Sequence, residues 1–203
     1  MSRKTPSGPL CTVVLVGLMG SGKTSIGRRL AARLGIQFVD ADTEIEAAAG
    51  SAIHDIFELH GEQAFRDGER RVIARLLDGP VHVLATGGGA FLTDETRELI
   101  ADTAVSVWLR ASLDTLVKRV ERSRTRRPLL EKGDPREILS ALVAERYPVY
   151  EQVDIIIDTG EGPHEPVVET IVQELRAYWR TQENPEAPET TSDQEITSDQ
   201  ENE

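Results

Sequence analysis

The stretch Gly17-Leu18-Met19-Gly20-Ser21-Gly22-Lys23-Thr24 decides the fold of this chain. It matches the phosphate-loop pattern G-x-x-x-x-G-K-[ST]. The apolar, β-branched segment 11–16 predicts a buried strand before it. Residues 25–34 carry apolar side chains at helical spacing and predict a helix after it. Because strand, glycine loop and helix follow in this order, we expect a nucleotide phosphate site rather than a glycine-rich turn without a ligand.

Each residue type in this stretch has a chemical use. Glycines let the backbone curl around a phosphate, and the helix N-terminus adds positive potential there. Lys23 is placed to reach the β- and γ-phosphates of ATP, and the Thr24 hydroxyl to bind Mg²⁺. The predicted ATP-binding residues of the loop are Gly20, Ser21, Gly22, Lys23, Thr24 and Ser25.

Length and charge predict one folded domain with short extensions. The chain has 203 residues and a net charge of −12, but residues 181–203 hold eight acids and no Lys or Arg. Without those eight charges residues 1–180 carry −4, which argues against general nucleic-acid binding. We therefore expect a loose arm over 1–9, a domain over 10–180 and a disordered acidic tail over 181–203.

The composition also bears on the compartment. Cys11 is the only cysteine, which excludes an internal disulfide or a cysteine metal cluster and fits a reducing cytoplasm. Arg3 and Lys4 precede an apolar run over 10–19 that resembles a weak signal peptide. That run feeds the phosphate loop, so export is not expected. No apolar run approaches the roughly 20 residues that a membrane-spanning helix needs.

Four further strands are predicted, over 36–39, 81–85, 104–109 and 153–157, and they alternate with helices. This alternation predicts a three-layer α/β/α fold with a five-stranded parallel sheet of the phosphate-loop NTPase type.

Asp40 and Asp42 end the second strand, where α/β sheets bind ligands. The alternative is that Asp42 caps a helix that begins at Thr43, and the local sequence leaves both open. In the helices over 43–78, which break near Gly50 and Gly61, Arg66 and Glu69 are three residues apart. Taken alone, that spacing favours a plain surface ion pair.

Three glycines, Gly87 to Gly89, follow the third strand and allow a ligand or another backbone to approach closely. A run of five arginines follows the fourth strand, and with a phosphate loop present it predicts a mobile lid over about 122–133 that closes on ATP. These arginines are Arg119, Arg122, Arg124, Arg126 and Arg127. Asp134 and Pro135 then begin a helix that carries Arg146.

Together these pieces resemble the shikimate kinase family, in the nucleoside-monophosphate-kinase-like group of phosphate-loop folds. The resemblance runs from about Val13 to Arg176 and lies in the order and spacing of several motifs. These are the phosphate loop, Asp40-Ala-Asp42, Phe65-Arg66-x-x-Glu69, Gly87-Gly88-Gly89, Arg127-Pro-Leu-Leu130, and Arg146 with Tyr150.

The resemblance implies transfer of the ATP γ-phosphoryl group to the 3-hydroxyl of shikimate, in chorismate and aromatic amino-acid biosynthesis. It implies catalytic roles for Lys23 and Asp42, with Glu69 orienting Arg66. It implies that Asp40 reaches Mg²⁺ through water beside Thr24, and that Arg127 reaches ATP from the lid. The implied shikimate-binding residues are Asp42, Arg66, Gly88 and Arg146. A cytoplasmic monomer without nucleic-acid or membrane partners is expected.

Two kinds of alternative remain. One is a related kinase of gluconate or of a nucleoside monophosphate, although Arg66, Arg146 and Asp42 favour a small hydroxy acid. The other is a nucleotide-dependent regulatory module without turnover, which would be expected to have lost Lys23 or Asp42. A GTPase is excluded because the only asparagines, Asn184 and Asn202, lie in the tail and cannot form Asn-Lys-x-Asp.

Overall fold

The structure is a computed structural model that describes residues 11–122 and 133–183. In these ranges, strands and helices alternate along the chain. The strands are β1 (Thr12–Val16), β2 (Gln37–Asp40), β3 (His82–Ala85), β4 (Ala104–Ala111) and β5 (Ile155–Thr159). The helices are α1 (Lys23–Leu34), α2 (Ala41–Ala49), α3 (Ile53–Leu77), α4 (Asp94–Thr103), α5 (Leu113–Arg122), α6 (Pro135–Tyr150) and α7 (His164–Glu183), with a 3₁₀ turn at Ala90–Leu92.

The five strands form one parallel sheet in the order β2-β3-β1-β4-β5. The predicted fold class is confirmed. Since β1 pairs with β3 on one side and β4 on the other, the loop that follows β1 opens where the strand order reverses. Open α/β sheets bind their ligands at such a switch point, beyond the carboxyl ends of the strands.

The central strand β1 is buried on both faces, which explains why its residues after Thr12 are all apolar. Val14 and Val16 pack into a core that includes residues of α3 to α6. Val13 and Leu15, between them, pack against residues of α1 and α7 on the opposite face. These two cores are the helical layers on either side of the sheet.

Local signals account for several features of the helices. Gly22 precedes α1 in a left-handed conformation with φ 103°, which a glycine adopts without strain. Asp134 caps α6 by accepting hydrogen bonds from the amides of Arg136 and Glu137, as predicted. The helical backbone of α3 is interrupted at Gly61, close to the predicted break.

Several predicted boundaries were wrong. Asp40 caps α2 through the Asp42 amide and the helix begins at Ala41, so the alternative in which Asp42 caps a helix from Thr43 is wrong. Strand β5 lies two residues later than predicted. Helix α7 continues through Glu183, so the boundary predicted at 180 falls within a helix. The predicted arm, most of the lid, and the tail beyond Glu183 lie outside the described residues.

Within 11–122 and 133–183, none of the helices combines the length and the apolar character that a membrane crossing requires.

Candidate active site

The phosphate loop lies between β1 and α1 and has a closed, internally bonded shape. The Lys23 ammonium donates to the carbonyl oxygens of Gly17, at 2.7 Å, and Leu18, at 3.1 Å. The amide of Ser21 donates to the Leu18 carbonyl at 3.1 Å. The lysine therefore curls over the loop, in position to reach a phosphate that enters it.

Arg119 on α5 supports this loop from outside, a role that the sequence analysis missed. Its guanidinium donates to the carbonyls of Gly20, at 3.1 Å, and Ser21, at 3.0 Å, and also to the carbonyl of Gly160 after β5. Burial lowers the pKa of Arg119. Its position three residues after the buried Leu116 was a signal that it faces the protein and not the solvent.

Oxygen atoms suited to a hard cation lie beside the loop. The Thr24 hydroxyl donates to Asp40 Oδ2 at 3.1 Å, which joins the start of α1 to the end of β2. A hydroxyl and one carboxylate form a small donor set of the kind Mg²⁺ uses, because this ion keeps several waters and binds substrate phosphates. The residues present therefore fit the predicted Mg²⁺ site.

The three glycines after β3 bring side chains from three other elements together. A Cβ atom built on Gly87 would lie 2.8 Å from Glu69 Oε1 and 3.0 Å from Asp42 Oδ1. A Cβ atom on Gly89 would lie 2.6 Å from Cζ of Arg66. Side chains from α2 and α3 thus occupy the space that larger residues would need here.

The middle glycine, Gly88, faces α6. A Cβ atom built on it would lie 3.4 Å from Arg146 Nη1, 3.5 Å from the Gly17 carbonyl oxygen and 3.7 Å from the Tyr150 hydroxyl. The Arg146 side chain is only 12% exposed. Gly88 is therefore the point at which α6 and the phosphate loop meet.

Arg66 and Glu69 form a buried pair and not a surface one. Arg66 Nη1 lies 2.7 Å from Glu69 Oε2, and the Glu69 side chain is 3% exposed. Burial raises the pKa of Glu69, and the charge of Arg66 opposes that shift. The interpretation as a plain surface ion pair is therefore wrong. Glu69 fixes the guanidinium while 22% of the Arg66 side chain stays exposed.

Asp42 is exposed to solvent, yet enough protein surrounds its carboxylate to change its pKa. Burial raises its pKa, the neighbouring Asp40 raises it further, and Lys23 and Arg66 act against both. A carboxylate with a raised pKa between two cations is suited to accept a proton at neutral pH.

The comparisons with known proteins agree with this geometry. Residues 19–176 match the family model described as shikimate kinase. The chain belongs to the shikimate kinase family. Curated shikimate kinases from Rhodopseudomonas palustris and Bradyrhizobium diazoefficiens are 55% and 58% identical to it. Both alignments cover 82% of this chain, with 81% and 80% of the respective relatives.

Solved structures show the same relationship. A shikimate kinase from Acinetobacter baumannii in complex with shikimate is 36% identical, with a TM-score of 0.78 over 85% of this chain and 95% of that one. A gluconokinase from Sinorhizobium meliloti reaches a TM-score of 0.64 over 89% of this chain and 99% of that one. At 18% identity it shares the fold alone.

The structure brings together side chains from five separate elements, α1, β2, α2, α3 and α6, at the carboxyl edge of the sheet. The predicted site residues that meet there are Lys23, Thr24, Asp40, Asp42, Arg66, Gly88 and Arg146. Arg127 lies outside the described residues. A separate cavity of about 460 Å³ lies between α2 and α3, lined by Ile45, Val72 and Arg75 among others. Neither the phosphate loop nor the three glycines line this cavity.

Proposed function

We propose that this member of the shikimate kinase family transfers the γ-phosphoryl group of ATP to the 3-hydroxyl of shikimate. The product is shikimate 3-phosphate, on the route to chorismate and the aromatic amino acids. One observation carries the proposal: Arg66, Arg146 and Asp42 converge on the glycines after β3, beside the phosphate loop. Two planar cations and a carboxylate are complementary to a small acid with several hydroxyls.

Arg66 and Arg146 bind the shikimate carboxylate in this proposal. Each guanidinium can present two parallel N–H donors to a carboxylate, and both side chains are largely buried, so the contact is little screened by water. Glu69 keeps Arg66 in place and neutralises part of the positive charge while the site is empty. The Gly88 backbone forms the floor between them.

Asp42 and Lys23 act at the reacting atoms. Asp42 accepts the proton of the 3-hydroxyl as its oxygen forms a bond to the γ-phosphorus, and the bond from that phosphorus to the bridging oxygen of ADP breaks. Lys23 moves from the loop carbonyls to the phosphate oxygens and stabilises the charge that collects on them. Alignment and charge neutralisation are the main demands of this reaction.

Thr24 and Asp40 would hold Mg²⁺, with Asp40 reaching it through water. Bound there, the ion would neutralise phosphate charge during the transfer. Gly20, Ser21, Gly22 and Ser25 complete the ATP-binding loop, and Arg127 is proposed to reach ATP from the lid. We also propose that the protein is cytoplasmic, which its lone cysteine fits, and that it acts as a monomer.

The experiment is an ADP-release assay with a panel of acceptors. Shikimate, gluconate, several nucleoside monophosphates and no acceptor are compared at equal concentration with MgATP. We expect ADP release with shikimate and with none of the other acceptors. Release that depends on gluconate or a nucleotide, or that needs no acceptor, contradicts the proposal.

A further inference from the structure

Tyr150, the last residue of α6, is fully buried behind the proposed shikimate site. Its hydroxyl donates to the carbonyl of Gly88. Burial raises the pKa of Tyr150 to about 12, so the hydroxyl keeps its proton and remains a donor over the whole physiological range. The hydrogen bond therefore fixes the orientation of the backbone at the floor of the site.

The same phenol lies beside Arg146. The two residues are one helical turn apart, and the Arg146 charge lowers the pKa of Tyr150 against the larger effect of burial. Arg146 Nη1 and the Tyr150 oxygen lie 3.4 and 3.7 Å from the same point, the position of a Cβ atom on Gly88. Arg146 Nε makes no hydrogen bond among the described residues, and its ion pair with Glu145, at 3.7 Å, is to a largely exposed side chain. The buried Tyr150 is therefore the better-fixed neighbour of this arginine.

The ring of Tyr150 is held from the other side. It packs edge-on against Trp108 of β4, with ring centroids 5.7 Å apart, and near Tyr147, at 6.2 Å. Trp108 is itself buried and part of the main core. A ring anchored in this way presents its hydroxyl at one position, which is what a group that sets the geometry of its neighbours requires.

We propose that Tyr150 is a positioning residue for shikimate, because it holds the Gly88 backbone and Arg146 in the arrangement that binds the substrate. The inference deepens the proposed function and rests on it. Tyr150 touches neither the substrate nor ATP in the proposed arrangement, so its loss acts on shikimate binding through Gly88 and Arg146.

The chain provides a matched control in Tyr147, on the same helix and in the same aromatic cluster. The Tyr147 hydroxyl donates to the Ala111 carbonyl at the end of β4, 2.5 Å away, and not to the proposed site. Tyr147→Phe and Tyr150→Phe each delete one hydroxyl from a partly buried hydrogen bond to a backbone carbonyl. Their effects on stability should therefore be similar, and their effects on shikimate should differ.

The experiment measures KM for shikimate, KM for ATP, kcat and the melting temperature of both variants and the wild-type chain. Y150F is expected to raise KM for shikimate about tenfold, the equivalent of one lost hydrogen bond. Its KM for ATP should change less than about twofold, and Y147F should leave KM for shikimate unchanged.

Equal effects of Y147F and Y150F on KM for shikimate overturn the proposal. So does a Y150F chain that fails to fold while Y147F folds, because the hydroxyl then serves stability. A wild-type chain that does not phosphorylate shikimate overturns the proposed function itself. An active wild-type chain with an unchanged Y150F overturns only the role of Tyr150.

Discussion

At the scale of single residues, Arg66 separates a binding role from a structural one. Arg66→Lys keeps the charge but loses the planar fork, so we expect shikimate affinity to fall at least about tenfold. ATP affinity should be nearly unchanged. Isothermal titration calorimetry with each ligand separately measures the affinity for shikimate and the affinity for ATP.

Arg70→Lys is the control on the same helix. The Arg70 side chain is about half exposed, and its Nη2 lies 4.0 Å from Asp67 Oδ1. This substitution should affect neither ligand. Small and equal effects at the two positions would return Arg66 to a purely structural role.

Asp42 provides a prediction about pH. Its folded-state pKa is raised above the ordinary value, chiefly by burial. At pH values between the pKa of the unfolded chain and that of the folded chain, the folded chain therefore binds more protons. The free energy of unfolding contributed by this group therefore falls as pH rises through that range. Asp42→Asn should lower turnover about 10²- to 10⁴-fold without lowering the free energy of unfolding at neutral pH.

Urea unfolding of this variant at several pH values, beside Asp55→Asn on the exposed surface of α3, checks the stability. A large loss of stability in Asp42→Asn would show that the carboxylate supports the fold.

At the scale of elements, the glycine loop after β3 depends on which side chains approach each glycine. In Gly89→Ala the new Cβ would overlap the guanidinium of Arg66, the flexible end of a long side chain, so the chain should fold with Arg66 displaced. We expect KM for shikimate to rise about tenfold or more, with little change in KM for ATP.

Gly68→Ala, in mid-helix with no atom within 4 Å of the new Cβ, is the matched control. It should stabilise the chain by about 1 kcal/mol and leave both KM values unchanged. Thermal unfolding of the two variants measures the stability change, and steady-state kinetics measure both KM values. A Gly89→Ala enzyme with normal KM for shikimate would disprove the contact with Arg66.

The elements also show what the sequence could predict about this site. The phosphate loop and the carboxylates of Asp40 and Asp42, at the end of β2, could be singled out because their signals are local, a motif or a strand end. Glu69 looked like a surface residue because spacing alone does not report burial, which depends on packing against Gly87. Helical spacing indicates that Arg119 faces the protein, but its contact with the loop joins residues 98 and 99 positions apart, and no local pattern predicts a contact over such a distance.

At the scale of the whole molecule, we predict that the chain beyond Glu183 is dispensable. Helix α7 contributes Ile171, Val172 and Leu175 to the core and continues to Glu183, whereas the residues that follow are mostly polar and acidic. A chain that ends at Glu183 should keep its activity and melting temperature. A large loss of either would show that the tail interacts with the domain.

The parallel sheet and its two helical layers followed from the alternation of strands and helices, because burial of both faces forces apolar strands. Boundaries were less predictable. Residues 153 and 154 looked like the start of β5, but Asp154 instead accepts hydrogen bonds from the amide and hydroxyl of Ser106 before the strand begins. This is a tertiary contact, 48 positions apart in the chain.

In the proposed function, side chains from α2, α3 and α6 make one shikimate site on the glycines after β3. A crystal structure of the chain with shikimate bound tests it most directly. We expect the shikimate carboxylate within hydrogen-bond distance of both Arg66 and Arg146, with a ring hydroxyl on Asp42. Shikimate bound elsewhere, for example in the cavity between α2 and α3, or in contact with neither arginine, would contradict it.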